Sequence, residues 1–276
     1  MEFVAEMTIN HLGMKDILKK MIISAKDSGA TLVKMKLKNV SNYYVDDGKK
    51  WRNFEFKAYR ESLELSKDDF FEIDYFCREI GIPWFCTVHD LDSLEFIKQF
   101  ELPYFKVASM DIINSDFCNS VAKTAADKKA SMVVSIGGKT LDFSDDLVEN
   151  LRNYQIPVNL LHTVSIYPTP VGQSNTNRVA ALKERYSSEK WLKIGYSDHE
   201  SGFAASVSAA INGAEMIERH FTLSRNWKIH HIQAALEPKE FTNMVNLITE
   251  IGIERAICSN DPIPGEDSFL VERKYV

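Results

Sequence analysis

Cysteine is scarce in this sequence, with four in 276 residues. Cys77, Cys86, Cys118 and Cys258 lie far apart and never in CxxC spacing, which excludes a zinc knuckle and a disulfide framework and marks them as reduced core residues of a cytoplasmic protein. An excess of positive charge is also missing. Lys and Arg total 33 against 39 Asp and Glu, for a net charge of −6, and the basic residues are scattered, so no stripe tracks a phosphodiester backbone and no nucleic-acid partner is expected. No window approaches the ~18 consecutive apolar residues that span a bilayer. The first residues, Met1-Glu2-Phe3-Val4-Ala5-Glu6, run straight into a strand pattern with no basic and apolar leader, so neither secretion nor membrane insertion is expected. A Gly-rich phosphate loop is absent too: after the first strand stands Asn10-His11-Leu12-Gly13, which argues against an open doubly wound sheet.

What is present is strict alternation. Strand patterns at residues 3–8, 31–37, 83–87, 104–108, 131–135, 158–162, 192–195 and 215–219 are followed by helical spacing at 14–28, 67–80, 91–100, 115–127, 145–154, 177–186, 202–212 and 238–251. Gly29 and Gly81 stop the first two helices, and Ser66 stands as N-cap before Asp68 and Asp69. Eight βα units in a chain with 45% hydrophobic residues predict a single α/β domain over residues 1–276, a closed (β/α)8 TIM barrel. Residues 38–65 and 165–176 read as long irregular βα loops that shape a pocket.

The strand ends are unusually polar. Gly195-Tyr196-Ser197-Asp198-His199 and Glu218-Arg219-His220-Phe221-Thr222 put two histidines at neighbouring strand ends, where they could share one divalent metal. Lys34, Lys36 and Lys106, with Thr87, Ser109, Ser135 and Ser197, form a cradle suited to a small polyanion such as a phosphorylated carboxylate. Asp198 reads either as an orienter of His199 or as a cap for the helix that follows.

In order along the chain, Ala5-Glu6-x-x-Ile9-Asn10-His11-x-Gly13, Val33-Lys34, Lys106-Val107-x-Ser109, Ser135-x-Gly137, Ile166-Tyr167-Pro168-Thr169-Pro170 and the two histidine segments resemble the motifs of the sialic acid (N-acetylneuraminate) synthase family. The resemblance spans nearly the whole chain. It implies condensation of phosphoenolpyruvate with the aldehyde of an open-chain amino sugar or related aldose, giving a sialic-acid-like 3-deoxy keto acid and phosphate. It further implies that His199 and His220 hold a divalent ion, manganese first with magnesium or cobalt as alternatives, and that Lys34, Thr87, Lys106, Ser109, Ser135 and Ser197 grip phosphoenolpyruvate. Glu6 would move a proton or orient the sugar, and Tyr167 would line the sugar site. His11 and His162 also match family positions, and each reads equally as a ring hydrogen-bonded within the barrel.

Four sugar-side positions depart from the family. Lys36 replaces a usual glutamine, Asp111 a glutamate, Ser165 an asparagine and His231 an aspartate, which implies an acceptor other than plain N-acetylmannosamine. Family members usually add a C-terminal antifreeze-like domain, which reaches over the partner's site in a swapped dimer. The residues after the last helix are too few for it, so the expected lid is either residues 38–65 with Tyr43, Tyr44, Trp51 and Phe54, or a separate lid-domain protein, with a homodimer as the default assembly. Two other functions stay open: a metal-dependent sugar aldolase or isomerase, which would want more carboxylate ligands, and a non-catalytic sugar or phosphoenolpyruvate-binding barrel.

Overall fold

The computed structural model describes residues 1–45 and 48–256. Eight parallel strands close on themselves: β1 (Glu2–Glu6), β2 (Leu32–Leu37), β3 (Trp84–Val88), β4 (Tyr104–Val107), β5 (Ser131–Ser135), β6 (Val158–Thr163), β7 (Leu192–Asp198) and β8 (Met216–Phe221) pair in sequence order, and β8 pairs back with β1. Helices α1 (Lys15–Asp27), α2 (Lys67–Ile80), α3 (Leu91–Ile97), α4 (Ser115–Asp127), α5 (Leu141–Arg152), α6 (Asn177–Arg185), α7 (Ala204–Ile211) and α8 (Pro238–Ala256) alternate with them. The expected TIM barrel is the observed fold.

Local chemistry places the helices where the strands need them. Helix α1 buries Leu18, Met21, Ile22 and Ala25, one stripe at helical spacing, against the sheet. Helix α2 starts on a reciprocal Ser66–Asp69 capping box and ends on Gly81 in the left-handed conformation. Thr140 caps α5 by accepting from the Phe143 amide, so this helix begins four residues before the apolar period becomes visible at residue 145.

The barrel interior changes character in one step along every strand. Val4, Leu32, Phe85, Val133, Leu161 and Met216, with Tyr104 beside them, pack as an apolar plug across the barrel. Two residues further on, the inward positions are Glu6, Lys34, Thr87, Lys106, Ser135, Thr163 and Glu218, because side chains alternate with period two. On β7 the plug position is Gly195, where a Cβ would lie 2.4 Å from Leu161 Cδ2 and 2.8 Å from the Met216 carbonyl oxygen. The absent side chain makes room for the two neighbours that seal the plug, and the next inward residue is Ser197.

Residues 38–65 are more ordered than their irregular pattern predicts. They form two short helices, Val40–Tyr43 and Phe56–Glu61, and a hairpin pairing Lys50–Trp51 with Phe54–Glu55. A short strand, Ala235–Leu236, adds onto the end of β8. Cys77, Cys86 and Cys118 are buried free thiols, as expected, and burial raises all three above the ordinary thiol range. Cys258 lies outside the described residues. No described helix is long and apolar enough to cross a membrane.

Candidate functional site

The polar layer opens upward into a cavity of about 680 Å³ at the C-terminal ends of the strands. Lys34, Lys36, Thr87, Lys106, Ser109, Asp111, Ser135, Ser165, Tyr167, Ser197, His199, His220 and His231 all line it. These are the site residues expected from sequence, with one exception. Glu6 is fully buried beneath the wall: one carboxylate oxygen accepts from the Thr8 amide at 2.7 Å, and the other pairs with Lys34. Glu6 therefore reaches the cavity only through lysines, Lys34 and, at 3.9 Å, Lys36.

The floor is a charge network built around a residue that the sequence reading left without a role. Glu218 contacts Lys106 Nζ with both oxygens at 2.5 and 2.6 Å, approaches Lys34 Nζ at 3.0 Å and accepts from Ser197 Oγ at 3.0 Å. The two lysines hold its carboxyl well below the usual range despite the opposing effect of burial. Burial in turn drags Lys34 well below the ordinary lysine range, against the attraction of Glu218. Its position one turn of the pleat below His220 was the only available signal, since Glu218 and His220 share a strand face.

Around the floor stand hydroxyls. Thr87 Oγ1 is buried and has no hydrogen-bond partner among the described residues, so it is a donor and acceptor held open toward the cavity. The Gly137 amide donates to Ser109 Oγ at 2.8 Å. A Cβ at Gly137 would lie 2.5 Å from Ser165 Oγ and 2.9 Å from Ser109 Oγ, so only glycine lets this backbone approach both serines.

The two histidines stand on neighbouring strands with ring centroids 5.2 Å apart. The His199 Nδ1–H donates to the Val164 carbonyl at 2.7 Å, which fixes the tautomer and leaves Nε2 with its lone pair free. Burial lowers His199 to about 4 and pushes His220 well below the usual histidine range, so both rings are neutral, the form that ligates metal. Their backbones are tied from behind. Asp198, immediately before His199, and Arg219, immediately before His220, form a fully buried ion pair on the opposite face of the sheet. Asp198 also accepts from Ser206 Oγ at 2.6 Å and the Glu200 amide at 2.9 Å, while Arg219 donates to the Glu200 carbonyl at 2.7 Å. Asp198 therefore neither bonds to His199 nor simply caps a helix: it locks strand β7 to strand β8.

Two imidazoles suit a borderline divalent ion, and the free Nε2 of His199 fits that role. Among the described residues, no group of three or more His, Cys, Asp or Glu side chains is arranged to hold a metal, so further ligands would have to come from substrate or solvent.

The outer wall carries the positions that set it apart. Tyr167 follows β6 and precedes a cis proline, and its ring lies 4.1 Å from His199 and 4.2 Å from His231, centroid to centroid. His231 takes a left-handed backbone conformation at φ 67° and its ring meets His230 at 3.7 Å. Asp111 is bonded to His89 Nδ1 at 2.8 Å and to the Tyr43 hydroxyl at 3.2 Å, and burial raises it to about 6. Tyr43 and Tyr44 of the loop expected as a lid line the cavity, whereas Trp51 stacks on Tyr59 at 4.4 Å and Phe54 is exposed. His11 and His162 stay off the wall: His11 Nδ1 accepts from the Gly13 amide at 3.2 Å, and His162 Nε2 donates to the Ser174 carbonyl at 3.1 Å.

Residues 21–258 match the model of the NeuB family. The chain is 29% identical to the N-acetylneuraminate-9-phosphate synthase of Drosophila melanogaster, with 96% of this chain and 70% of that protein covered. It is 30% identical to the N,N'-diacetyllegionaminic acid synthase of Campylobacter jejuni over 90% of this chain and 75% of the relative. The crystal structure of N-acetylneuraminic acid synthetase from Leptospira borgpetersenii, solved with citrate, superposes with a TM-score of 0.83 at 26% identity, covering 98% of this chain and 90% of that one.

Proposed function

The chain belongs to the NeuB family, and we propose that it joins phosphoenolpyruvate to the aldehyde carbon of an open-chain amino sugar or related aldose, yielding a nonulosonic acid. The methylene carbon of phosphoenolpyruvate forms the new C–C bond, the aldehyde oxygen takes a proton, water adds at C2, and the C2–O bond breaks to release phosphate. The observation that carries this reading is the convergence of Lys34 and Lys106 with the neutral His199 and His220 rings on one cavity.

Each part of the wall has a task in that step. Lys34 and Lys106 offset the phosphate and carboxylate charge, and they do so inside a site where water is scarce, so their effect exceeds that of surface lysines. Thr87, Ser109, Ser135 and Ser197 orient the anion by hydrogen bonds. Glu218 keeps both lysine ammonium groups aimed into the barrel, and Glu6 holds Lys34 from below. Tyr167 walls the sugar against the two histidines. His199 and His220 would hold a divalent ion, manganese first, which when bound supplies a Lewis acid at the sugar aldehyde oxygen. Lys36, Asp111, Ser165 and His231 line the part of the cavity assigned to the acceptor, and their chemistry favours one other than plain N-acetylmannosamine.

Phosphate release from phosphoenolpyruvate tests the proposal. It should require both a sugar and a divalent ion, and Lys106→Met should reduce it at least 100-fold, the scale of a lost electrostatic contact to the reacting anion. Sugar turnover without phosphoenolpyruvate would instead make the protein an aldolase or isomerase.

A further inference from the structure

Strand β3 presents one more side chain to the cavity than the condensation reading uses. Thr87 lies in the polar layer, and His89 follows two residues later, just past the end of the strand. At ~3.3 Å rise per residue it is rooted about 6.6 Å nearer the mouth. Both residues line the cavity. His89 is only 8% exposed, and its two ring nitrogens stand in different surroundings. Nδ1 lies 2.8 Å from one oxygen of Asp111. Nε2 is buried and has no hydrogen-bond partner among the described residues.

The carboxylate behind the ring is already engaged. Its other oxygen accepts from the Tyr43 hydroxyl at 3.2 Å, and the Tyr43 ring meets the His89 ring edge-on, 5.1 Å between centroids. Tyr43, Asp111 and His89 thus form one chain that ends at Nε2. Burial raises Asp111 only to about 6, so at neutral pH it is ionised. Burial, then the cations Lys38, Lys36, Lys34 and Arg60, keep the His89 ring neutral. A neutral ring facing a carboxylate carries its single proton on Nδ1, which leaves Nε2 as a bare lone pair. The cations around it can only donate, so this nitrogen is an acceptor set in a donor-rich stretch of wall. A buried acceptor is unfavourable while it stays open, and a donor entering the cavity relieves it.

We propose that His89 Nε2 accepts a hydrogen bond from a hydroxyl or acylamino N–H of the acceptor sugar, and that Asp111 acts on the sugar through this ring. The contact rests on the condensation reading, which puts phosphoenolpyruvate in the layer of Thr87 and the acceptor above it. His89 is then a specificity-determining residue and Asp111 a positioning residue. The neutral nitrogen selects a donor: a carboxylate or phosphate oxygen at the same point would set lone pair against lone pair.

Phosphate release from phosphoenolpyruvate tests the contact in wild type, His89→Phe, His89→Gln, Asp111→Asn and the double variant Asp111→Asn/His89→Phe. The acceptors are N-acetylmannosamine, its monodeoxy analogues, and 2-deoxyglucose in place of the analogue without the acylamino group. KM for the sugar should rise about 10-fold in His89→Phe, the worth of one hydrogen bond, while KM for phosphoenolpyruvate changes less than twofold. His89→Gln, which returns an acceptor to the place of Nε2, should recover most of the loss. The double variant should lose no more than His89→Phe alone, because the carboxylate acts through the ring. The analogue lacking the donor should be about 10-fold slower in wild type and no slower still in His89→Phe. An unchanged sugar KM, a phosphoenolpyruvate KM that rises in step, or a His89→Phe penalty common to every analogue overturns the assignment. Should His89→Phe fail to fold, Asp111→Asn and Tyr43→Phe must show the same split between the two KM values, and its absence overturns the assignment equally. If no acceptor releases phosphate in wild type, the condensation reading fails instead, and calorimetry with N-acetylmannosamine decides the contact. Weaker binding in His89→Phe, recovered in His89→Gln, upholds it; equal binding, or none, overturns it.

Discussion

Asp198 and Arg219 face each other across strands β7 and β8 in register, as a fully buried ion pair. Each is followed directly by a histidine of the cavity, so the pair fixes from outside the barrel the relative height of the two rings inside it. Removing one partner leaves the other charge stranded in a dry layer.

Arg219→Met should therefore destabilise the protein by about 3–5 kcal/mol in denaturant unfolding. Asp198→Asn, which keeps two hydrogen-bond partners, should cost less and should weaken Mn2+ binding in calorimetry. Unchanged stability in Arg219→Met would show that the pair is not what holds the register.

If His199 and His220 hold the ion as proposed, His199→Ala and His220→Ala should each weaken Mn2+ binding at least 100-fold while shifting the melting temperature by only a few degrees. Chelator should abolish phosphate release in the wild type, and added Mn2+ should restore it.

Gly137→Ala would drive a methyl group into Ser165 and Ser109. The backbone must yield, at a cost of about 1–3 kcal/mol, and KM for phosphoenolpyruvate should rise at least tenfold. Full activity in this variant would mean that the Ser109–Gly137 approach plays no part in binding.

Lys38 carries a pH signature. Its pKa falls from 10.5 to about 7 on folding, so between those values the unfolded chain binds more protons and stability rises with pH. The folding penalty of this lysine is complete below about pH 7 and gone above about pH 10.5. Lys38→Met should consequently be more stable than wild type at pH 6, by about 1–2 kcal/mol, with the difference shrinking as pH approaches 10. A gap that stays constant across that range would contradict the depressed pKa.

The barrel was legible because two periods coexist in the chain: apolar runs of strand length, and helical stripes closed by Gly29 and Gly81. The inner site was legible because polar residues at predicted strand ends have few places to go except the barrel mouth. Glu218 escaped since it sits inside a strand run, where a carboxylate has no local signature: its partners Lys34 and Lys106 are 184 and 112 positions away along the chain. Arg219 escaped for the same reason. The hairpin and short helices of residues 38–65 are too brief for any periodicity to emerge. The position of Glu6 below the wall depended on the pleat phase of β1, which its motif alone does not convey.

The single step from apolar plug to polar layer separates two kinds of recognition mechanically. Lys34, Thr87 and Lys106, proposed above to hold phosphoenolpyruvate, are anchored within strands that also build the plug, so altering them disturbs the centre of the molecule. Of the positions proposed for the acceptor, Asp111, Ser165 and His231 stand beyond the strand ends, on segments that can be exchanged without moving the plug, and only Lys36 lies within a strand, β2. On the proposed reading the donor side is thus fixed and most of the acceptor side is open to revision: grafting the rim loops of a relative onto this barrel should transplant sugar preference while leaving enol chemistry in place.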